Sequence, residues 1–138
     1  MKEIVLRTDG GIRESKMACA WIAFNPENEK EILFQGSKKC GKQGTSNISE
    51  YRGVICGLIE AIKEGVKIVH IILDSQLVVK QVTDAAKTSN VELLKHKSKV
   101  LELLKEFESW TIKWEPRENN KLADDLVNKV FEIKKKKC

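Results

Sequence analysis

The chain has 138 residues, 41% of them hydrophobic and 33% charged, with only 2 prolines and 8 glycines, which excludes a disordered or low-complexity polymer and suits one domain. Lys and Arg outnumber Asp and Glu by 25 to 20, a net charge of +5, so a polyanion is an expected partner. No apolar stretch approaches the ~18 residues of a membrane helix, and the first run is too short and too soon acidic for a secretory leader, so a soluble, cytoplasmic chain with no membrane partner is expected.

Three β-rich stretches come first, at 3–12, 17–26 and 30–38, with short polar links, and an antiparallel meander is the natural arrangement. From Ile48 the period changes: Ile48, Tyr51, Ile55, Leu58, Ile59 and Ile62 recur at helical steps, and Gly65 marks a stop, which predicts a helix over 46–64. The continuous apolar run 67–73 reads as a strand covered on both faces and ends on Asp74. Ser75 then caps a short helix; paired leucines predict another over 90–109. "WTIKWEP" is a last short strand, and an amphipathic helix closes the chain. The order β-β-β-α-β-α-α-β-α makes an α/β fold, a mixed sheet with helices packed on it.

Most acids, among them Glu60, Glu64, Glu102, Glu106 and Glu108, fall on polar helix faces as solvated surface. Asp9, Glu50, Asp74 and Asp124 do not. Asp9 interrupts the first strand, Glu50 sits in the first turn of the first helix, Asp74 ends the fourth strand and Asp124 borders the last helix's apolar stripe. If strands one and four pair in parallel the aspartates come side by side, and the crowding is repulsive unless divalent cations lie between them. Each has a local alternative: a hairpin turn at Asp9-Gly10-Gly11, a capping box of Asn47 with Glu50, a helix cap at Asp74, an ion pair of Asp124 with Lys121 or Lys129.

The stretches "TDGG" (8–11), "TSNISEYRGVICGLIEA" (45–61), "LDSQLVVKQV" (73–82) and "WEPRENNKLADDLVNKV" (114–130), in that order, resemble type 1 ribonuclease H. The resemblance implies the ribonuclease H-like fold, a five-stranded mixed sheet of three antiparallel strands and then parallel ones, over 1–133, with 134–138 as a basic tail. It implies that Asp9, Glu50, Asp74 and Asp124 are metal-binding, catalytic carboxylates for two Mg²⁺ ions, with Mn²⁺ as a possible substitute. The implied activity is hydrolysis of the RNA strand of RNA–DNA hybrids to 5′-phosphate and 3′-hydroxyl ends, by a monomer. Gly10, Gly11, Thr45, Asn47, Ser75 and Gln76 are the implied substrate contacts, the glycines leaving room for close backbone approach. A same-fold nuclease for double-stranded RNA or another structure, and a non-cleaving nucleic-acid-binding module, are the alternatives.

The chain departs from many family members in two places. The loop before Asp124 carries no histidine, neither His70 nor His96 being near it; Arg117 stands there, as in the archaeal-like branch, where it can position phosphate but not take a proton. No basic protrusion follows the second helix, leaving Lys80, Lys87, Lys95, Lys97 and Lys99 as a reduced basic surface or simply a solvated face. Cys19, Cys40, Cys56 and Cys138 show no zinc-ligand spacing; reduced thiols are expected, with Cys56 packing as a small apolar residue.

Overall fold

The computed structural model describes residues 2–136, with side chains through 132. Expectations about Cys138 and the lysine side chains of the tail lie outside the described residues. The chain forms β1 (Glu3–Arg13), β2 (Lys16–Asn25), β3 (Asn28–Lys42), α1 (Ser46–Lys63), β4 (Ile68–Leu73), α2 (Gln76–Val82), α3 (Val91–Leu104), β5 (Ser109–Trp114), a 3₁₀ turn (Arg117–Asn120) and α4 (Lys121–Lys136). α4 thus runs into the segment assigned to the tail.

The sheet order is β3-β2-β1-β4-β5. β1–β2 and β2–β3 pair antiparallel, β1–β4 and β4–β5 parallel. One face packs Ile4, Leu6, Val69, Ile71 and Leu73 against Tyr51, Val54, Leu58 and Ala61 of α1 and against Leu93, Val100 and Leu104 of α3. Side chains of this size contribute about 1.5–3 kcal/mol each when fully buried, so this face dominates the stability. The other face packs Ala18, Ala20 and Ile22 against Ala123 and Val127 of α4.

Asp9, Gly10 and Gly11 make no turn: they pair with Ala20, Cys19 and Ala18 as β1 continues. The reversal falls at Glu14 and Ser15, whose φ values of 52° and 66° are the left-handed pair that closes a two-residue hairpin in register with strand twist. This is the polar link expected between the first two strands, closed without glycine or asparagine.

α1 is capped by Thr45, whose Oγ1 accepts from the Ile48 amide at 3.2 Å. The capping box of Asn47 with Glu50 does not form, and Glu50 lies beyond the first turn. At the other end Gly65 takes φ 78°, the left-handed stop its position predicts. Two glycines let α1 touch β1 backbone to backbone: a Cβ on Gly10 would overlap the Ser49 carbonyl and the Glu50 amide, and one on Gly53 would lie 2.7 Å from the Asp9 carbonyl oxygen. Close packing here carries Glu50 to Asp9.

Candidate active site

Parallel pairing of β1 with β4 runs to Arg7 opposite Ile72 and then stops. Asp9 continues along β1 and Asp74 directly follows β4, so both aspartates emerge where the strands part, the crevice at the carboxyl ends where open α/β sheets bind ligands. Glu50 arrives from α1. Carboxylate oxygens of Asp9, Glu50 and Asp74 lie within 4.8 Å of one another.

Asp9 is 2% exposed and Glu50 8%, and Asp9 Oδ1 and Glu50 Oε1 are buried without a hydrogen-bond partner. Burial first, and then the charge of Asp74, push Asp9 from its ordinary 3.8 up to about 7. Burial and the charge of Asp9 likewise hold Glu50 well above its ordinary range. Three crowded carboxylates with unpaired oxygens are the donor set of a hard divalent cation, whose charge would relieve the repulsion. The residues fit such an ion.

Asp124 stands outside that trio. Its charge still adds to the upward push on Asp9, and its Oδ2 is 3.5 Å from the Asn128 amide nitrogen rather than paired with Lys121 or Lys129. Arg117 Nε lies 3.5 Å from Asp74 Oδ2; its side chain is 75% exposed and that of Asp74 7%. Asp74 and then Asp124 raise the arginine's pKa further, so it stays cationic. It is the one guanidinium beside the trio among the described ion pairs, placed to meet an anion entering from solvent.

Glu50 and Asp74 of the trio line a cleft of about 480 Å³ together with Asn47, Ser75 and Arg117 among others. Ser75 also caps α2, its Oγ accepting from the Val78 amide at 3.2 Å. Gln76 is exposed at the first position of α2, beside the cleft and not in its wall. Gly10 lines the cleft, yet the space left by its missing Cβ is filled by α1; that of Gly11 faces Val127 of α4 at 3.0 Å. Both glycines therefore serve helix packing.

Two residues were missed from the sequence. Trp114, 42% exposed, pairs with Leu73 beside Asp74 and forms a wall of the cleft; its place at the end of an alternating strand was the available sign. Asn120, 1% exposed, donates from Nδ2 to the Thr8 carbonyl at 2.7 Å, tying the Arg117 turn and the start of α4 to β1 one residue before Asp9. Nothing in "RENN" announces that bond. Of the helix lysines, Lys97 is held by Asp84 at 2.6 Å, while Lys95 and Lys99 stay exposed, 3.7 Å from Glu92 and 4.0 Å from Glu102. Glu60 is no solvated acid either, since it accepts from Trp21 Nε1 at 2.6 Å.

Residues 7–130 match the family described as "Reverse transcriptase-like". The structure superposes on RNase H1 from Halobacterium salinarum with a TM-score of 0.89 at 30% identity, covering 94% of this chain and 98% of that one. The chain belongs to the ribonuclease H1 family. It is similar also to the N-terminal RNase H domain of a bifunctional protein from Mycobacterium tuberculosis, with a TM-score of 0.89 at 29% identity over 96% of each chain. A further similar structure is LC11-RNase H1 solved in complex with an RNA/DNA hybrid, with a TM-score of 0.85 at 25% identity over 94% of this chain and 96% of that one. The chain spans only 36% of the length of the whole mycobacterial protein, to which it is 31% identical over 130 residues. In this chain both histidines are engaged away from the cleft. His70 bonds Glu3 at 2.6 Å and Thr111 at 2.8 Å, while His96 accepts from Arg52 at 3.2 Å. Among the described residues no helix is long and apolar enough to cross a membrane.

Proposed function

We propose that this chain is a metal-dependent endoribonuclease that hydrolyses the RNA strand of RNA–DNA hybrids, leaving 5′-phosphate and 3′-hydroxyl ends. The observation that carries the reading is the trio Asp9, Glu50 and Asp74, with two buried, unpaired oxygens beside an open cleft that Glu50 and Asp74 line. A relative of the same family, solved with an RNA/DNA hybrid, supports the substrate class.

Asp9 and Asp74 would hold a pair of Mg²⁺ ions, or Mn²⁺ in their place, with Glu50 joining one and Asp124 the other. Such ions, when bound, supply Lewis-acid activation and neutralise charge developing at a scissile phosphodiester. Glu50 also orients the ribose, whose 2′-hydroxyl is the only group that marks the strand as RNA. Arg117 holds a phosphate oxygen through its N–H groups and takes no proton, since a guanidinium stays charged at neutral pH. Thr45 donates its O–H to a DNA-strand phosphate while a lone pair keeps the α1 cap. Asn47 and Gln76 offer amide donors and acceptors to minor-groove edges without demanding one sequence. The chain works as a monomer.

End-labelled RNA–DNA, RNA–RNA and DNA–DNA duplexes, incubated with Mg²⁺, Mn²⁺ or chelator, test the reading. Metal-dependent cuts confined to the RNA of the hybrid are expected. Binding without cutting under every metal overturns the enzyme, and equal cutting of double-stranded RNA overturns the substrate assignment.

A further inference from the structure

Away from the cleft, sulfur-bearing residues from three elements meet under the middle of α1. Met17 and Cys19 of β2 and Cys40 of β3 form a small buried cluster, and Cys56 of α1 packs against it. All three cysteines are free thiols; Cys19 and Cys40 are buried and Cys56 only partly so. Cys19 lies in the cluster between the other two, and the neighbouring Cys40 and Cys56 thiols together with burial push its ionisation far up. Of the two buried thiols, Cys19 is the one that acts most strongly on Cys56.

Two cations flank the cluster. Lys38 stands opposite Cys19 across the β2–β3 ladder and within side-chain reach of Cys56. Arg52 lies one helical turn before Cys56 and donates to the Cys40 carbonyl. The neighbouring Cys19 thiol first, and then Lys38 and Arg52 against the opposing effect of burial, draw the Cys56 thiol from 9.0 down to about 6. A reachable, ionised sulfur backed by a protonated thiol is the arrangement of an attacking and a resolving cysteine.

We propose that Cys56 and Cys19 are an oxidisable pair, in which Cys56 attacks a hydroperoxide and Cys19 resolves the product as a disulfide joining α1 to β2. With hydrogen peroxide, the Cys56 thiolate takes one peroxide oxygen, the O–O bond breaks, and Cys56 becomes a sulfenic acid as hydroxide leaves. The Cys19 sulfur then displaces the sulfenic hydroxyl, the S–S bond forms, and the Cys19 proton departs with that hydroxyl as water. Two thiols lose two electrons and one peroxide is reduced to two waters. Because Cys56 packs against the cluster that holds Cys19, side-chain rotation is the movement that the bridge requires. The bridge pins the helix that presents Glu50, but the chemistry is independent of any nuclease activity.

The test is peroxide treatment of the reduced full chain, followed by intact mass and non-reducing peptide mapping. The expected result is loss of two hydrogens, a link between the peptides carrying Cys19 and Cys56, and reversal by dithiothreitol. In Cys19→Ala, sulfenic acid should instead accumulate on Cys56 and be captured by dimedone. Cys56→Ser should give neither the link nor the adduct. Mapping of the unmutated chain decides the matter even if a variant fails to fold. A bridge between any other pair, Cys138 included, thiols unchanged under excess peroxide, or a dimedone adduct on Cys19 or Cys40 overturns the proposal.

Discussion

Replacing Asp9 with Asn should stabilise the metal-free protein while abolishing its activity. Burial and the charge of Asp74 lift Asp9 from 3.8 to about 7. The folded state therefore binds more protons than the unfolded chain between those values. Stability falls as pH rises through that window and levels off above about 7, the reverse of the usual carboxylate case. At about 1.4 kcal/mol per pKa unit, ionised Asp9 costs the fold at most about 4 kcal/mol at alkaline pH. Asparagine removes the charge but remains a buried polar group, so a net gain of about 2 kcal/mol is expected. For a domain of this size that is a rise in Tm of roughly 6–10 °C. Thermal melts at pH 8 in chelator measure it, and the gain should vanish near pH 4, where wild-type Asp9 is itself largely protonated. Adding Mg²⁺ should raise the wild-type Tm by mass action and the variant's much less. A variant no more stable than wild type at pH 8 in chelator, with unchanged circular dichroism, would refute the claim that the carboxylates repel one another in the absence of metal.

Gly10→Ala places a Cβ into the Ser49–Glu50 backbone; displacement of α1 from β1 should cost about 1–3 kcal/mol in urea unfolding and lower kcat by shifting Glu50. Asn120→Ala loses a buried bond to the Thr8 carbonyl and should cost about 1–3 kcal/mol, read from chemical denaturation. Tyr51→Phe strands the Gln81 Oε1 that the tyrosine hydroxyl meets at 2.7 Å, a loss of about 1–2 kcal/mol on the same assay. Arg117→Ala removes a side chain that is 75% exposed; Tm should stay within about 2 °C and kcat/KM on hybrid should fall, and unchanged kinetics would leave Arg117 as surface.

Local patterns settled much of this protein in advance. The helical spacing of Tyr51, Leu58 and their neighbours, the stop at Gly65 and the apolar run before Asp74 are written in adjacent residues, because periodicity reports which side of an element meets the core. The four acids stood out because each lies at the end or edge of such an element. Only the tertiary structure decided that Asp9, Glu50 and Asp74 converge while Asp124 stands apart, since that depends on β4 joining β1 in parallel and on α1 closing to backbone contact at Gly10 and Gly53. The bond of Asn120 to the Thr8 carbonyl, the pairing of Lys97 with Asp84 and the thiols gathered under α1 were hidden for the same reason. Each depends on which of several chemically adequate partners arrives first in space, and a linear pattern carries no record of sheet order or register.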